Sequence, residues 1–412
     1  MKKKTHFSCR SCGNLELTPI ISFGKTPLAN ALLTETQLYR KENFYELDLM
    51  FCSSCYLVQI AQTIPPKKLF VDYPYFSSYS ETTLERARKI SSSFIKTQNL
   101  NTDSLVVEIG SNDGYLLQYY RLANIQVLGI DPARNIARFA REARGVNTLC
   151  EFFSLNLARK LANQGKQADV IHLHNVLAHV KELNEFVDGI WILLKDDGIV
   201  VIEVPYIKDI LDQLYFDTIY HEHLCYFSLL SLDKLLVKHG LEIVSCKHSM
   251  NQGGSLFIVA RKKVSNATNR IIQTALSEEE MLGLKSIEVY KNFAGRVENY
   301  KIKLKEKLIG IKDQHKQIAG YGASAKGSQL LNYCKIGNSI VDFVVDNIPY
   351  KQWKYIPGVR IPIYPPSHLL EVMPDYVLIL AWNLADEILS RETKYINRGG
   401  RFIIPFPHIQ TI

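Results

Sequence analysis

Tyr220, His221, Glu222 and His223 stand side by side in the run Phe216-Asp-Thr-Ile-Tyr-His-Glu-His-Leu-Cys-Tyr-Phe-Ser228. Histidine titrates near neutrality, a carboxylate orients it or holds its charge, and a phenol donates to a developing oxyanion. Such a run is poor material for a core. It reads either as a surface turn whose histidines satisfy backbone groups or as an acid–base site. The choice depends on what the rest of the chain places around it.

The chain has 412 residues, too many for one ordinary core, so two or three domains are expected. Hydrophobic residues make up 47% and charged residues 22%, which is the range of a globular protein. No uninterrupted apolar run reaches membrane-spanning length, and Met-Lys-Lys-Lys-Thr-His-Phe7 lacks the apolar stretch of a signal peptide. A cytoplasmic protein without a membrane partner is expected. The formal charge of +8 is spread over scattered lysines. It suits a phosphorylated or nucleotide-linked ligand, and it is too dilute for a nucleic-acid surface.

Cys9-Arg-Ser-Cys12 and Cys52-Ser-Ser-Cys55 are two Cys-x-x-Cys pairs. Each pair places two thiolates on one knuckle, and two knuckles complete a tetrahedral zinc site of Cys9, Cys12, Cys52 and Cys55. A redox role needs only one pair, and disulfides conflict with a cytosolic setting. Four thiolates leave zinc no open position, so the metal is expected to be structural. Cys150, Cys225, Cys246 and Cys334 are isolated and read as ordinary thiols.

Ser104-Leu-Val-Val-Glu-Ile-Gly110 reads as a buried strand, Ser111-Asn-Asp-Gly114 as a turn, and Gln126-Val-Leu-Gly-Ile-Asp131 as a second strand ending in an acid. This unit fits a dinucleotide or an S-adenosylmethionine (SAM) site, with the acid placed for a ribose. It lacks the three-glycine pattern of a dinucleotide. Glu108-Ile-Gly110-Ser-Asn-Asp-Gly114 resembles the first motif of class I methyltransferases. Strands at Asp169–His174 and Gly198–Glu203 follow, and ligands collect at the carboxyl ends of such strands, so Asn175 and His179 should border the site. His179 taken alone would equally serve in packing or capping.

Between the knuckles and this unit, Asp72-Tyr-Pro-Tyr-Phe-Ser-Ser-Tyr-Ser80 is dense in phenols and hydroxyls. It reads as an aromatic turn or as a lid over a polar ligand. Asn266 to Lys316 is polar and helical in period and reads as connecting helices with a solvated face. A second α/β unit begins at Gln317-Ile-Ala-Gly-Tyr-Gly322-Ala-Ser324-Ala-Lys326-Gly-Ser328. Glycines, hydroxyls and one lysine at a helix start suit a phosphate.

Together these motifs resemble the nucleotide-sugar C-methyltransferases, SAM-dependent enzymes that add a carbon branch to deoxy sugars. The resemblance runs through the knuckles, Pro27-Leu-Ala-Asn30, Tyr73-Pro-Tyr-Phe-Ser-Ser78, Glu108 to Gly114, Asn175-Val-Leu-Ala-His179, Phe216 to His223, Gly253-Gly-Ser255, Gly320 to Gly327 and Ala381-Trp-Asn383. It implies an α/β chain with a zinc-binding domain (1–80), a central class I Rossmann-like SAM domain (81–262) and a second Rossmann-like domain (263–412) that helps hold a nucleotide sugar. It implies His223 as base with Tyr220 and Glu222 beside it, and Tyr75 and His179 as further residues lining the active site. The cofactor set is Glu108, Gly110, Ser111, Asn112, Gly114, Asp131 and Asn175. The substrate set is Tyr79, Ser324, Lys326 and Asn383.

The expected reaction is C-3 methylation of a 4-keto deoxysugar on a nucleotide, with thymidine diphosphate suggested by the resemblance. His223 takes the proton beside the ketone, Glu222 supports it, and Tyr220 or His179 holds the enolate oxygen. A monomer is expected, because three packed domains can enclose the site. The competing readings are a nicotinamide-dependent nucleotide-sugar oxidoreductase, an O- or N-methyltransferase, and a zinc-ribbon nucleic-acid module.

Overall fold

A computed structural model describes residues 7–66, 69, 76–249, 253–264 and 269–412. Tyr73 and Tyr75 lie outside them. The chain opens with three antiparallel strands, β1 (Leu17–Thr26), β2 (Tyr45–Cys52) and β3 (Val58–Ile60). In β2 the apolar residues Leu47, Leu49 and Phe51 recur every second position, so all three enter the core while their neighbours face out. The two knuckles flank β1 and β2, with Cys52 ending β2.

Helix α1 (Glu81–Thr97), capped by the Ser80 hydroxyl, leads into β4 (Leu105–Ile109), α2 (Leu117–Leu122), β5 (Gln126–Ile130), α3 (Arg134–Arg144) and β6 (Thr148–Leu149). Then come α4 (Leu155–Asn163), β7 (Ala168–His174), α5 (Leu183–Leu193), β8 (Leu194–Pro205) and α6 (Ile207–Gln213). Near-continuous apolar runs such as Val170 to Leu173 and Val200 to Val204 suit strands covered on both faces. After α6 the chain forms a two-residue strand, β9 (Cys225–Tyr226), and then α7 (Leu229–Lys238), β10 (Leu241–Ser249) and β11 (Ser255–Lys262).

The central sheet has the order β10-β11-β8-β7-β4-β5-β6, with β11 alone running antiparallel to the others. Its switch point lies where β4 is flanked by β5 and β7, so the crevice opens above the Gly110 turn. On the face beneath α1 and α2 a chain of buried polar groups runs across the strands. Tyr120 Oη meets His172 Nε2 at 2.8 Å, and the two imidazoles of His172 and His174 meet at 3.2 Å. His174 Nδ1 then meets Glu203 at 2.9 Å, and Arg86 grips the same carboxylate with both terminal nitrogens. Pairing and full hydrogen bonding offset the cost of burying Glu203.

The strand β9 does not join this sheet. It pairs with β3 and completes the first sheet as β1-β2-β3-β9, three residues after Glu222.

Two helices follow, α8 (Arg270–Met281) and α9 (Ile287–Lys312). They are more than connectors. Along α9, Tyr290, Phe293, Val297, Tyr300, Leu304, Leu308 and Ile311 recur at helical spacing and are buried, with Tyr290 on Phe51 and Tyr300 on Phe216. The lysines and glutamates of the other face masked this stripe in sequence. Buried Glu279 on α8 accepts the Leu229 and Leu230 amides at 2.7 and 2.8 Å and so caps α7 from a distance. Glu279→Ala is expected to destabilise the protein by about 1–3 kcal/mol, because two buried amides lose their acceptor. Urea unfolding of wild type and variant reads this directly.

The last unit is built from β12 (Ile318–Tyr321), α10 (Ala325–Tyr333), β13 (Phe343–Val345), β14 (Ile363–Tyr364), α11 (Ser367–Val372), β15 (Tyr376–Ile379), α12 (Ala385–Arg391), α13 (Thr393–Asn397), β16 (Arg401–Ile404) and β17 (Gln410–Thr411). Its sheet order is β14-β13-β12-β15-β16-β17, parallel up to β16. The turn after β12 faces Ala381 so closely that a side chain at Gly322 would come within 2.6 Å of it. No helix among the described residues is long and apolar enough to cross a membrane.

Candidate active site

The stretch from Phe216 to Ser228 is buried, not a surface turn, and all three sheets hold it. From the first unit, the Glu46 carbonyl meets His221 Nε2 at 3.1 Å, Asn30 Nδ2 donates to Glu222 Oε1 at 2.7 Å, and the Ile60 amide donates to Leu224 O. From the central unit, His179 Nδ1 donates to Glu222 O at 2.7 Å and the Leu224 amide to Ala178 O. From the last unit, Trp382 Nε1 donates to Asp217 Oδ2 at 2.6 Å.

These contacts fix the state of His223. Its Nδ1 lies 3.0 Å from the Thr218 carbonyl, which can only accept, so Nδ1 carries the proton. Nε2 is then the lone-pair nitrogen, 3.0 Å from the Tyr220 hydroxyl. Burial, followed by the neighbouring His179 ring, holds the His223 imidazole well below its usual range. The two rings stand edge to face at 4.8 Å. Burial lowers His179 as well. The result is a neutral imidazole ready to take a proton, with a phenol at its basic nitrogen.

Glu222 is placed differently from expectation. Both ring nitrogens of His223 are engaged by Thr218 and Tyr220, and the Glu222 carboxylate faces Asn30. A backbone carbonyl orients the His223 ring, and Glu222 ties this stretch to the first unit. His221, bound to the Glu46 carbonyl and set against Tyr45, is a packing residue.

At the switch point, Gly110, Asn112 and Gly114 all adopt left-handed backbone, and Asn175 does so after β7. A side chain at Gly110 would collide with Val176 at 2.5 Å. Buried Asp131 accepts the Asn112 and Ala133 amides at 2.9 Å, one on each oxygen, which leaves one lone pair per oxygen for a pair of ligand hydroxyls. Burial pushes its carboxyl up to about 6. Asn112 Oδ1 and Asp113 Oδ2 accept the Ser77 and Ser78 amides, stapling that segment to the glycine turn.

Glu108 Oε2 and Asp113 Oδ1 are buried at this turn without a hydrogen-bond partner, a polar environment that fits a ligand with donors such as SAM. Ser111 Oγ itself packs under the turn against Gly129, so that residue offers a ligand its backbone only. Exposed Tyr79 stacks on Phe76, which packs on Phe139 of α3.

In the last unit Ser324 caps α10, its Oγ accepting the Gly327 amide at 3.0 Å. The Gly322, Ala323 and Ser324 amides are bound to Val345 O, Asp346 Oδ2 and Gly322 O. The phosphate cradle expected here is largely occupied by the protein's own acceptors. Lys326 Nζ lies 4.6 Å over the Trp382 ring, and Asn383 is half-buried beside that indole. Asp217, Thr218, Asn30 and Trp382 are site residues that sequence reasoning did not single out. Asp217 and Thr218 lie within the opening run, and the other two within short motifs that carried no role.

The four knuckle sulfurs lie within 4.8 Å of one another, with Cys9 and Cys55 at 3.3 Å and Cys12 and Cys52 at 3.5 Å. Those distances exclude disulfides and approach the roughly 3.8 Å edges of a tetrahedral zinc–sulfur site. Contact with Cys55 draws the Cys9 thiol down to about 5, so a thiolate is available to a cation. The donor set fits zinc.

Three family models match: a zinc binding domain over residues 9–70, a methyltransferase domain over 80–246, and a C-methyltransferase C-terminal domain over 250–407. C-methyltransferase NovU of Streptomyces niveus is 36% identical over 405 residues, 98% of this chain and 96% of that protein. The chain belongs to the C-methyltransferase family. It is a SAM-dependent enzyme with an N-terminal zinc-binding domain, a central methyltransferase domain and the family's C-terminal domain. A C-methyltransferase of this family is neither the oxidoreductase nor the nucleic-acid module considered above.

A ubiquinone biosynthesis O-methyltransferase of Bartonella tribocorum is 27% identical over 97 residues, 24% of this chain and 39% of that one. Magnesium protoporphyrin IX methyltransferase (ChlM) of Synechocystis PCC 6803, solved with bound SAM, is 14% identical with a TM-score of 0.33, covering 44% of this chain and 79% of its own. The PH0226 protein of Pyrococcus horikoshii OT3 gives 17% and 0.37 over 46% and 95%.

Proposed function

We propose that this C-methyltransferase methylates the C-3 carbon of a 4-keto deoxysugar carried on a nucleotide, with thymidine diphosphate as the carrier. The observation that carries the reading is the state of His223. It is buried and neutral, with Nδ1–H fixed on the Thr218 carbonyl and Nε2 beside the Tyr220 phenol. A carbon next to a ketone holds its hydrogen too tightly for water, so the enzyme needs a base at that hydrogen and a donor at the oxygen. His223 Nε2 takes the proton, and the Tyr220 hydroxyl, released from Nε2 as that nitrogen is protonated, turns to the enolate oxygen.

When bound, SAM supplies the methyl group that the nucleophilic carbon takes. Gly110, Asn112, Gly114, Asp131 and Asn175 would hold it, with Glu108 and Ser111 shaping the turn from below. His179 positions the Glu222 backbone and stands against the base. Asn383 lies beside Trp382 at the sugar side of the crevice. Three units of one chain close around Tyr220 to His223, which supports a monomeric enzyme.

The test is to incubate the purified protein with SAM and a panel of thymidine-diphosphate 4-keto-6-deoxysugars in deuterated buffer. Expected is a mass gain of one methyl group on one sugar, with deuterium exchange at the adjacent carbon when S-adenosylhomocysteine replaces SAM. Methyl transfer to oxygen or nitrogen, or no exchange with any of these sugars, would overturn the reading.

A further inference from the structure

Lys326, Trp382 and Asp217 form a cluster that the mechanism above does not use. Asp217 begins the catalytic stretch and is fully buried. Its Oδ2 receives the indole N–H at 2.6 Å, and its Oδ1 has no hydrogen-bond partner. Tyr215 stacks on the indole at 4.1 Å. Gly253 passes so close that a side chain there would come within 2.6 Å of the ring, so the indole is fixed. Lys326 Nζ sits over that ring at 4.6 Å. Electrostatically the ammonium couples to both Asp217 and His223.

A diphosphate is a poor occupant of this place. A buried carboxylate stands beside the ammonium and would repel an added dianion. Of the turn amides, those of Gly322, Ala323 and Gly327 are taken by Val345, Asp346 and Ser324. The position suits a smaller charge that exists only during the reaction, next to the base and balanced by Asp217 at rest. Desolvation lowers the Lys326 amine to about 8, with Asp217 acting against it, so the group remains cationic at neutral pH.

We propose that Lys326 is a catalytic residue whose ammonium, set over the Trp382 ring that Asp217 anchors, stabilises the enolate oxygen formed as His223 takes the proton. This rests on the reading of the reaction as carbon methylation beside a ketone. In that step the C–H bond breaks, the proton goes to His223 Nε2, and the electron pair becomes the C=C bond while the carbonyl oxygen becomes O⁻. Lys326 donates a hydrogen bond to that oxygen without losing its proton. The carbon then forms its bond to the methyl group, the S–C pair stays on sulfur, and the C=O bond returns. An oriented donor at such an oxyanion accounts for about 10²- to 10³-fold in rate.

Lys326→Met should lower both kcat and solvent deuterium exchange at the reacting carbon by about 10²- to 10³-fold. KM for the sugar and the calorimetric affinity for thymidine diphosphate should stay within about twofold of wild type. Asp217→Asn, which keeps the indole hydrogen bond but removes the balancing charge, should lower kcat with the same unchanged diphosphate affinity. It remains informative if the methionine variant loses SAM binding. A weakened thymidine diphosphate affinity with kcat and exchange retained would overturn the proposal and make Lys326 a diphosphate clamp. A wild-type enzyme that exchanges no hydrogen would overturn the reaction assignment instead.

Discussion

His223→Asn is expected to lower kcat by about 10²- to 10⁴-fold, the usual contribution of one positioned base, while equilibrium SAM binding stays at the wild-type value. Asparagine keeps much of the ring's volume and a donor for the Thr218 carbonyl, so the stretch stays in place while the basic nitrogen is lost. Asp131 and the glycine turn belong to the central sheet, which His223 does not join, and are not disturbed.

The pH profile carries a second expectation. The base must be unprotonated, so activity is present above the His223 pKa and lost as pH falls through it. Burial depresses that value, so the acid limb of kcat/KM lies below the ordinary imidazole value of about 6.5. Stability has the same sign. The unfolded imidazole gains a proton near its ordinary value while the buried one does not, so this group's contribution is present above that pH and declines below it. Wild-type turnover in His223→Asn, with SAM bound, would remove His223 from the mechanism.

Cys52→Ser is expected to release the zinc and to abolish turnover together with the folded first sheet, although no step of the reaction uses the metal. The connection is mechanical. Arg10, inside the first knuckle, donates to the Ile60 carbonyl at 2.6 Å and also binds Gln62 and Thr63, while its own amide binds the Gln59 side chain. Those groups lie in and just after β3, and β3 pairs with β9 directly after His223. Asn184 and Lys238 also clamp the knuckle backbone to the central unit.

Four thiols this close have little reason to stay together without a cation, and structural zinc in small domains contributes free energy on the order of 10 kcal/mol. A lower zinc content by mass spectrometry, a fall in Tm and loss of turnover should therefore appear together in Cys52→Ser. Zinc-free protein that remains folded and fully active would refute this.

The glycine turn at Gly110–Gly114 with Asp131 was legible because a strand, a left-handed turn and a second acid-ended strand are contiguous, and each needs particular residue types locally. The cluster of four cysteines was legible because Cys-x-x-Cys spacing fixes a knuckle without reference to the rest of the fold. The α9 stripe was not, because its buried residues are diluted by lysines at intervening positions and its partners, Phe51 and Phe216, are far away in sequence. The family resemblance puts Glu222 beside His223 as its support. Consecutive side chains seldom face each other, and the carboxylate met Asn30, 192 residues away.

Sequence by itself determined that Tyr220 to His223 has the residue types for acid–base chemistry, that a SAM-type sheet precedes it, and that zinc belongs at the knuckles. The tertiary structure decided which nitrogen of His223 carries the proton, which groups orient it, and that Asp217, Trp382 and Lys326 form one cluster. The reason is physical. Residue type sets what a group can do, while burial and the partners the fold brings against it, such as the His179 ring on His223, set its protonation state and direction.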